Sequence, residues 1–266
     1  MKYILVTGAY GGMGKATINY LALNGYYVLA LDKKVEEKKN NIIPIECDIT
    51  DSRMVAKAYE EVLKITDKLF AIIHFAGIYA LDSLVEIEEE KYENIFKINV
   101  IGPYLVNKNF LPLLDSGSRI IITTSELAVL DPLPFNGIYA ITKGALDKYS
   151  YSLAMELQLK GIKVSVIRPG AVKTGMLKVS TDELDNFCNK TKLYNISAKN
   201  FRDIVNKVEA KYITPEKLAK KAYKVLNKKN PKFNYQINRN KLLIMLDLLP
   251  KRWRFKIIKN ILNKQK

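Results

Sequence analysis

The sequence predicts an α/β protein built on a doubly wound parallel sheet of about seven strands, with helices on both faces. Two observations lead to this fold. Short apolar, β-rich runs alternate with helix-like stretches along nearly the whole chain, which is typical of a parallel sheet covered by helices. The first run also leads into a glycine-rich turn and then a helix-like stretch, as the first unit of such a sheet commonly does.

The predicted strands lie at residues 3–7, 26–31, 42–47, 69–74, 119–124, 163–167 and 233–237. Helical periodicity marks residues 15–23, 51–65, 88–114, 138–160 and 215–227. No linker or repeat interrupts this alternation, so we expect residues 1–240 to form a single domain. Within it, the polar and uneven stretch 180–211 is expected to act as a mobile lid on the substrate side.

The predicted helix 88–114 contains two residues that disfavour a regular helix. Asn99 is mildly unfavourable in a helix interior, and Pro103 lacks the N–H that would bond to the preceding turn. We therefore expect a local distortion that frees a backbone carbonyl to hold a water molecule.

The bulk composition excludes several classes of protein. The formal charge of the chain is +16, and a basic excess can attract nucleic acid, anionic membranes or acidic ligands. No RNA-binding signature or helix-turn-helix pattern is present, so we expect no nucleic-acid partner. Cys47 and Cys188 are the only cysteines, too few for a disulfide framework or a metal site, and no metal is predicted. The absence of a signal-like N-terminus and of a membrane-spanning apolar run favours a cytoplasmic location.

The turn after the first strand has the composition of a phosphate-binding loop. Glycines let the backbone approach a pyrophosphate, and the N-terminus of the following helix stabilises its charge. The alternative is a tight strand-to-helix turn without a ligand. We predict that a dinucleotide cofactor contacts Thr7, Gly8, Gly11, Gly12, Met13 and Gly14.

Asp32 ends the second predicted strand, about 20 residues after this loop. A carboxylate at this position accepts hydrogen bonds from the adenosine ribose and repels a 2′-phosphate. It therefore favours NAD(H) over NADP(H), unless Asp32 is only a turn residue. Lys33 and Lys34 follow immediately and could soften the preference, so NADP(H) is kept as an alternative.

Tyr139 and Lys143 lie four residues apart on the predicted helix 138–160, so their side chains share one face. A neighbouring ammonium favours the phenolate and lowers the pKa of a tyrosine. Such a tyrosine could donate and accept a proton near neutral pH. Taken alone, this spacing is also typical of a solvated helix face.

Several polar or small residues directly follow predicted strands, where ligands bind in open α/β sheets. These residues are Asp48, Ile49, Ala76, Gly77, Ser125, Pro169 and Gly170. Their convergence predicts a single site. His74, the only histidine, lies beside apolar strand residues and is interpreted as a core residue, which excludes the usual histidine triads.

Jointly, these motifs resemble the short-chain dehydrogenase/reductase family, in its short single-domain branch with a Rossmann-type fold. The resemblance runs from residue 2 to about residue 174. It implies a cofactor loop at residues 7–14, an adenine contact at Asp48 and a homodimer or homotetramer. It also implies a catalytic tetrad of Asn99, Ser125, Tyr139 and Lys143, and a nicotinamide-side segment with Pro169, Gly170, Val172 and Thr174.

The resemblance assigns a role to each member of the tetrad. Tyr139 gives or takes the alcohol proton, and Lys143 lowers its pKa and holds the nicotinamide ribose. Ser125 stabilises charge on the substrate oxygen, and Asn99 positions a water that relays protons to Lys143. The hydride itself belongs to the nicotinamide.

The chain departs from the family pattern at two positions. Phe75 stands where the family usually has an asparagine before Ala76 and Gly77. Ser125 precedes Tyr139 by fourteen positions where thirteen is commoner, which makes Thr124 an outside alternative. Glu126 is not expected to serve this chemistry.

The tail, residues 241–266, is predicted to contain a basic amphipathic helix. Trp253, Ile257, Ile258, Ile261 and Leu262 share one helical face, and Arg252, Arg254, Lys256 and Lys259 flank it. Such a helix can lie in a bilayer interface, which would give peripheral membrane contact. The alternative is packing on its own domain or on a partner subunit.

The tail and the loop 133–136 resemble those of hydroxysteroid and retinol dehydrogenases, which implies an apolar alcohol or carbonyl substrate such as a sterol or lipid. The leading hypothesis is an NAD(H)-dependent alcohol/ketone oxidoreductase. The alternatives are a weakly catalytic NAD-binding scaffold at a membrane surface and, less favoured by the glycine spacing, a sugar-nucleotide epimerase or dehydratase.

Overall fold

The computed structural model describes residues 1–207 and 211–264. A parallel sheet of seven strands lies at the centre of the fold. In chain order the strands are β1 (Tyr3–Thr7), β2 (Tyr27–Asp32), β3 (Ile42–Glu46), β4 (Leu69–His74), β5 (Leu114–Thr123), β6 (Lys163–Pro169) and β7 (Asn234–Ile237). Their spatial order is β3-β2-β1-β4-β5-β6-β7, and all neighbours are parallel. The predicted fold class is therefore confirmed. The strand order reverses between β1 and β4, which opens a crevice at their carboxyl ends.

Helices connect these strands, and local sequence sets several of their ends. They are α1 (Gly12–Leu23), α2 (Ser52–Leu63), α3 (Glu89–Phe96), α4 (Gly102–Phe110), α5 (Gly137–Leu157), α6 (Gly175–Lys190), α7 (Asn195–Lys207), α8 (Pro215–Leu226), α9 (Lys241–Asp247) and α10 (Lys251–Leu262). The Asp51 carboxylate accepts the Arg53 N–H at the start of α2, and Thr214 caps α8 in the same way. Gly161, with a φ of 72°, ends the short turn that follows α5.

Two apolar layers cover the faces of the sheet. Helices α2, α4 and α5 pack on one face, with Phe110 fully buried against Leu5 and its neighbours. Helices α1 and α8 pack on the other face, where Leu218 joins Val6. Leu5 and Val6 point to opposite faces because side chains alternate along a strand. This two-sided packing makes the fold doubly wound.

The predicted helix 88–114 is broken in the structure. A π-helical turn, Lys97–Ile101, separates α3 from α4, and Pro103 begins the regular turns that follow. Because Pro103 has no N–H, the usual bond to the carbonyl of Asn99 cannot form. The structure thus has a distortion where one was predicted, and π-turns of this kind are common at functional sites.

The predicted lid and tail are largely helical. Helices α6 and α7 occupy most of residues 180–211, of which 208–210 lie outside the described residues. They pack through Phe187 and Phe201 against Leu262 of α10. The tail forms two helices, α9 and α10, separated by Pro250, and residues 265–266 lie outside the described part. Among the described helices, none combines the length and the hydropathy required to span a bilayer.

Candidate active site

The glycine-rich loop closes tightly over the carboxyl end of β1. Gly8 has a φ of 63°, and a Cβ there would lie 2.5 Å from the backbone nitrogen of Ala76. A Cβ on Gly14 would lie 2.0 Å from the carbonyl oxygen of Gly8. Side chains at these two positions would therefore push the loop off the sheet. The loop and the N-terminus of α1 form one wall of a cavity.

This first cavity, of about 400 Å³, runs along the crevice where the strand order reverses. Most of the predicted cofactor residues line it, namely Gly8, Gly11, Gly12, Met13, Gly14, Asp32, Asp48, Ile49, Ala76, Gly77 and Thr174. Thr7 lines neither this cavity nor the second one described below. Its buried hydroxyl lies 3.4 Å from Nδ1 of His74. The side chain of Thr7 therefore contacts the protein core and not the predicted cofactor cavity.

Asp32 sits at the end of the crevice and is oriented by backbone groups. Its two carboxylate oxygens accept hydrogen bonds from the N–H groups of Tyr10, at 2.9 Å, and of Lys33, at 2.8 Å. The side chain of Lys33 turns instead to Asp48, with Nζ 2.8 Å from Oδ2. Partial burial of Asp48 opposes its ionisation, but hydrogen bonds from Lys33 and Thr50 hold its pKa below the ordinary value. Lys33 is thus paired with a carboxylate other than Asp32.

Ser125 and Tyr139 meet at the carboxyl end of β5. Ser125 lies two residues beyond the end of β5. Its Oγ accepts a hydrogen bond from the N–H of Leu127 at 3.2 Å. Tyr139 lies in the first turn of α5, and Ser125 is the hydrogen-bonding neighbour that acts on the pKa of its hydroxyl. Both side chains are buried. The fourteen-residue separation therefore still brings the two hydroxyl groups together.

Burial controls the pKa values of Tyr139 and Lys143. Burial raises the pKa of Tyr139 to about 12, although the hydrogen bond from Ser125 opposes this. Burial also lowers the pKa of Lys143 to about 8. The predicted lowering of the Tyr139 pKa by Lys143 is thus not found here. Nζ of Lys143 lies 5.8 Å from the centroid of the Tyr139 ring, and the loss of hydration outweighs the attraction at that distance.

Asn99 braces the floor of the site from the π-turn. Its Oδ1 accepts the N–H of Ile78 at 2.8 Å, and its Nδ2 donates to the carbonyl of Ile78 and to the hydroxyl of Thr142. A Cβ at Gly77 would lie 3.1 Å from both Asn99 Oδ1 and Lys143 Nζ. The side chain of Asn99 therefore ties the segment after β4 to α5. Its predicted role in holding a water stays a prediction.

A second cavity, of about 250 Å³, adjoins the first on the side of α5. The predicted residues that line it are Met13, Gly77, Ser125, Tyr139, Lys143, Pro169, Gly170, Val172 and Thr174. Gly77 and Thr174 line both cavities. All four members of the predicted tetrad therefore lie around the junction of the two cavities, three in the wall and Asn99 directly behind Gly77.

Sequence reasoning missed several residues of the second cavity. Tyr79 packs its ring 4.9 Å from that of Tyr139. Leu243 reaches the cavity from α9. Glu126 was set aside for this chemistry, yet it lines the cavity and is buried, with Oε2 accepting the N–H of Asn240 at 2.7 Å. Burial raises the pKa of the Glu126 carboxyl. The sequence did place a charged residue, Glu126, directly after Ser125, and this position could have indicated that Glu126 lies in the site.

The structure explains the surroundings of Phe75, Thr124 and His74, three residues that the sequence left outside the predicted site. Phe75 is buried and packs with the apolar layer under α1 and α8, while lining both cavities. Thr124 donates its hydroxyl to Asp147 at 3.2 Å, so it is engaged away from Tyr139. His74 is fully buried between Thr7 and Asn107, and burial lowers its pKa to about 4. It is a neutral core residue, as interpreted from the sequence.

Comparison with known proteins identifies the family. The sequence model for the short chain dehydrogenase family matches residues 2–185. Versicolorin reductase 1 of Aspergillus parasiticus is 32% identical over 197 residues, which cover 70% of this chain and 75% of that protein. The 3-ketodihydrosphingosine reductase of Bacteroides thetaiotaomicron is 28% identical over 237 residues, covering 89% of this chain and 87% of that one.

A solved structure agrees with the fold over nearly the full length. The crystal structure of a short-chain dehydrogenase from Streptomyces avermitilis is 20% identical, has a TM-score of 0.79 and covers 98% of this chain and 96% of that one. The chain belongs to the short-chain dehydrogenase family and is an oxidoreductase. The family predicted from the sequence is confirmed, while the likeness to hydroxysteroid and retinol dehydrogenases stays a prediction.

Members of this family use a nicotinamide cofactor, and the first cavity fits such a group. Its glycine loop leaves backbone N–H groups at the N-terminus of α1, where a pyrophosphate is stabilised. Asp32 stands at one end of the cavity, and Gly77 and Thr174 continue into the second cavity. The first cavity therefore extends from the carboxylate of Asp32 to residues that it shares with the cavity lined by Tyr139.

Proposed function

We propose that this protein is an NAD(H)-dependent oxidoreductase that interconverts an alcohol and a ketone or aldehyde on an apolar substrate. One observation carries the proposal. The hydroxyl groups of Ser125 and Tyr139 lie together in the second cavity, which opens into the cavity formed by the glycine loop. A carbonyl oxygen held by these two hydroxyls would place its carbon beside the cofactor cavity.

Tyr139 is proposed to transfer the proton. Because its pKa is raised to about 12, the phenol is protonated near neutral pH and is ready to donate to a developing alkoxide. Ser125 donates a second hydrogen bond to the same oxygen and stabilises its charge. When bound, the nicotinamide supplies or accepts the hydride. The protonated Tyr139 is the form that donates a proton in carbonyl reduction.

Lys143 is proposed to supply positive charge behind Tyr139 and to bind the nicotinamide ribose. Its pKa of about 8 leaves it mostly protonated at pH 7. A charged ammonium near the ring favours loss of the phenol proton in the transition state. Asn99 holds the segment that faces Lys143 in place through its bonds to Ile78 and Thr142. Asn99 acts in this proposal as a positioning residue.

Two features support NAD(H) as the preferred cofactor. The carboxylate of Asp32 lines the cavity at the ribose end, where it would repel a 2′-phosphate. The salt bridge between Lys33 and Asp48 also neutralises the cation that could have offset Asp32. Lys34 is exposed and is the remaining residue that could attract a phosphate.

The substrate is proposed to be apolar because of the cavity walls around Tyr139. Leu127, Leu133, Met176, Leu177 and Leu243 line the second cavity. The relative that aligns over 89% of the chain is named 3-ketodihydrosphingosine reductase, a name that specifies a ketone on a long aliphatic chain. We extend that substrate class, a ketone on a long aliphatic chain, to this chain.

The test is reduction of a panel of apolar ketones with NADH, comparing Tyr139→Phe with Tyr151→Phe. Tyr151 lies on the same helix but is exposed, so its variant controls for removing a hydroxyl from α5. We expect Tyr139→Phe to lower the rate at least about 100-fold while NADH still binds, and Tyr151→Phe to keep the rate. Equal rates in the two variants would contradict the proposal. No turnover by the unmodified protein, despite tight NADH binding, would favour the scaffold alternative.

A further inference from the structure

The outer face of α9 is apolar and lacks a covering element in the described part of the chain. Leu242, Met245 and Leu248 lie three residues apart and are all exposed, with Leu248 at 80%. Residues with this spacing share one side of a helix. Exposed leucines are common singly, but three on one short helix form a patch that requires an explanation.

Helix α10 divides its apolar residues between two directions. Arg254, Ile258 and Leu262, spaced four apart, face the protein, and the last two belong to the apolar cluster with α6 and α7. Trp253, Ile257 and Ile261, also spaced four apart, form a second row that is 66%, 37% and 44% exposed, whereas Phe255 lies beside the groove that Ile258 and Leu262 line. The two sequence-based alternatives for this helix, packing on its own domain and contact with a membrane, therefore concern different faces of it.

Several contacts hold the two helices in place. Arg254 is buried and pairs with Asp247, at the end of α9, at 2.7 Å, and with Asp131 in the loop before α5. The backbone of Asn240 is held by Glu126, and Asn200 of α7 donates to the carbonyl of Leu262. The exposed apolar groups are thus displayed on a fixed support, and little conformational entropy is lost when something binds them.

The charged side chains around the exposed apolar groups of α10 are positive. Lys251, Arg252, Lys256 and Lys259 are exposed on α10, and no acidic residue follows Asp247 in the sequence. Lys251 lies 3.8 Å from Asp131 and Asp247 is engaged by Arg254, so Arg252, Lys256 and Lys259 carry the positive charge that has no acidic partner within the two helices. Exposed Trp, Ile and Leu flanked by Lys and Arg are typical of a helix that lies in a bilayer interface.

We propose that α9 and α10 dock on a bilayer that contains anionic phospholipid. The C-terminal docking surface consists of Leu242, Met245, Leu248, Trp253, Ile257, Ile261, Lys251, Arg252, Lys256 and Lys259. A second copy of the chain fits this surface less well. In a two-fold symmetric contact each surface meets its own copy, so Arg252 and Lys256 would approach like charges. An anionic bilayer supplies both the apolar layer and the opposite charge.

Docking would bring the membrane close to the candidate active site. Leu243, next to exposed Leu242, lines the cavity that contains Tyr139. Phe255 lines a separate groove of about 490 Å³, and Leu133 lines both that groove and the cavity. An apolar substrate dissolved in lipid would therefore have a short path to Tyr139. This consequence rests on the proposed function, whereas the docking itself does not.

Trp253 is the only tryptophan of the chain, so its fluorescence reports on the docking surface alone. Vesicles of phosphatidylcholine with about one third phosphatidylserine should shift its emission to the blue and sediment the protein, and added salt should weaken both effects. Vesicles of phosphatidylcholine alone should bind far less. The measurement uses the full chain without substrate or cofactor, so its outcome is independent of catalysis.

Matched charge reversals decide whether the docking surface is responsible. Arg252→Glu with Lys256→Glu should weaken binding to the anionic vesicles at least about 30-fold, from about fivefold for each basic residue removed. Lys217→Glu with Lys220→Glu makes the same change of net charge on exposed positions of α8 and should leave binding nearly unchanged. Ketone reduction in detergent-free buffer on a water-soluble substrate should be kept by both variants.

Three outcomes would overturn the proposal. Equal losses in the two double variants would mean that binding follows net charge alone. Sedimentation with vesicles without a change in Trp253 emission would locate the contact elsewhere. A blue-shifted emission without vesicles, together with a dimer that Arg252→Glu and Lys256→Glu dissociate, would identify a second copy as the occupant.

Discussion

Replacing Lys143 with methionine should change the pH dependence of stability in a defined way. Lys143 is buried, and burial lowers its pKa from the ordinary 10.5 to about 8. The folded-state value lies below the unfolded value, so the unfolded chain binds more protons between about pH 8 and pH 10.5. Stability of the unmodified protein therefore rises with pH across this window, as far as this group is concerned.

The size of the effect follows from the shift. A lowering of about 2.5 pKa units corresponds to a cost of about 3 kcal/mol at pH 7, of which about 1 kcal/mol is left at pH 9.5. Lys143→Met removes the buried charge. The free energy of unfolding of the variant should therefore exceed that of the unmodified protein by about 3 kcal/mol at pH 7. At pH 9.5 this difference should be smaller by about 2 kcal/mol.

Urea denaturation of the cofactor-free protein at both pH values measures this difference. Lys148→Met on the same helix is the control, because Lys148 is exposed and its replacement should give the same small effect at both pH values. Both measurements stay below the range in which Tyr139 ionises. A difference between Lys143→Met and the unmodified protein that does not depend on pH would refute the reasoning, because it would mean that burial does not shift the pKa of Lys143.

Three further predictions concern the cofactor, the π-turn and the thiols. Asp32→Ala should weaken NADH binding and raise NADPH binding, measured by cofactor fluorescence; unchanged NADH binding would mean that Asp32 does not contact the ribose. Asn99→Ala should lower the free energy of unfolding by about 2–3 kcal/mol, because the N–H of Ile78 loses a buried acceptor; a loss below about 0.5 kcal/mol in urea denaturation would contradict this. Burial raises the pKa of Cys47 to about 12 and also raises that of Cys188, so neither thiol should react with an aromatic disulfide reagent at pH 8 until the protein unfolds. Rapid labelling of the folded protein would show that these cysteines are accessible.

Local patterns were sufficient to predict the sheet and to identify many of the residues that line the two cavities. Each predicted strand is a short apolar run, and its period identifies it without knowledge of its partners. The turn residues after the strands are also local, and parallel strands bring their carboxyl ends to one edge. Gly8, Asp32, Ser125 and Tyr139 therefore converge as predicted, although they are far apart in the sequence.

The features that sequence reasoning missed depend on contacts between distant segments. Glu126 is buried because the backbone of Asn240, 114 positions away, covers and binds it. The side chain of Lys33 pairs with Asp48. The spacing of the residues in the sequence does not indicate whether it would pair with Asp48 or with Asp32. The raised pKa of Tyr139 likewise depends on how completely neighbouring segments exclude water. Burial is a property of the packed molecule, and one sequence indicates it only on average.

The central claim is that a hydride passes from the nicotinamide to a ketone whose oxygen is protonated by Tyr139, and isotope transfer tests it most directly. The protein is mixed with an apolar ketone and with NADH in which both hydrogens at C4 of the nicotinamide are replaced by deuterium, and the product is analysed by mass spectrometry. The account predicts an alcohol with one deuterium on the carbinol carbon, formed by the unmodified protein and by Tyr151→Phe but not by Tyr139→Phe. Bound NADH that never yields deuterated alcohol from any ketone, or equal yields from Tyr139→Phe, would contradict it.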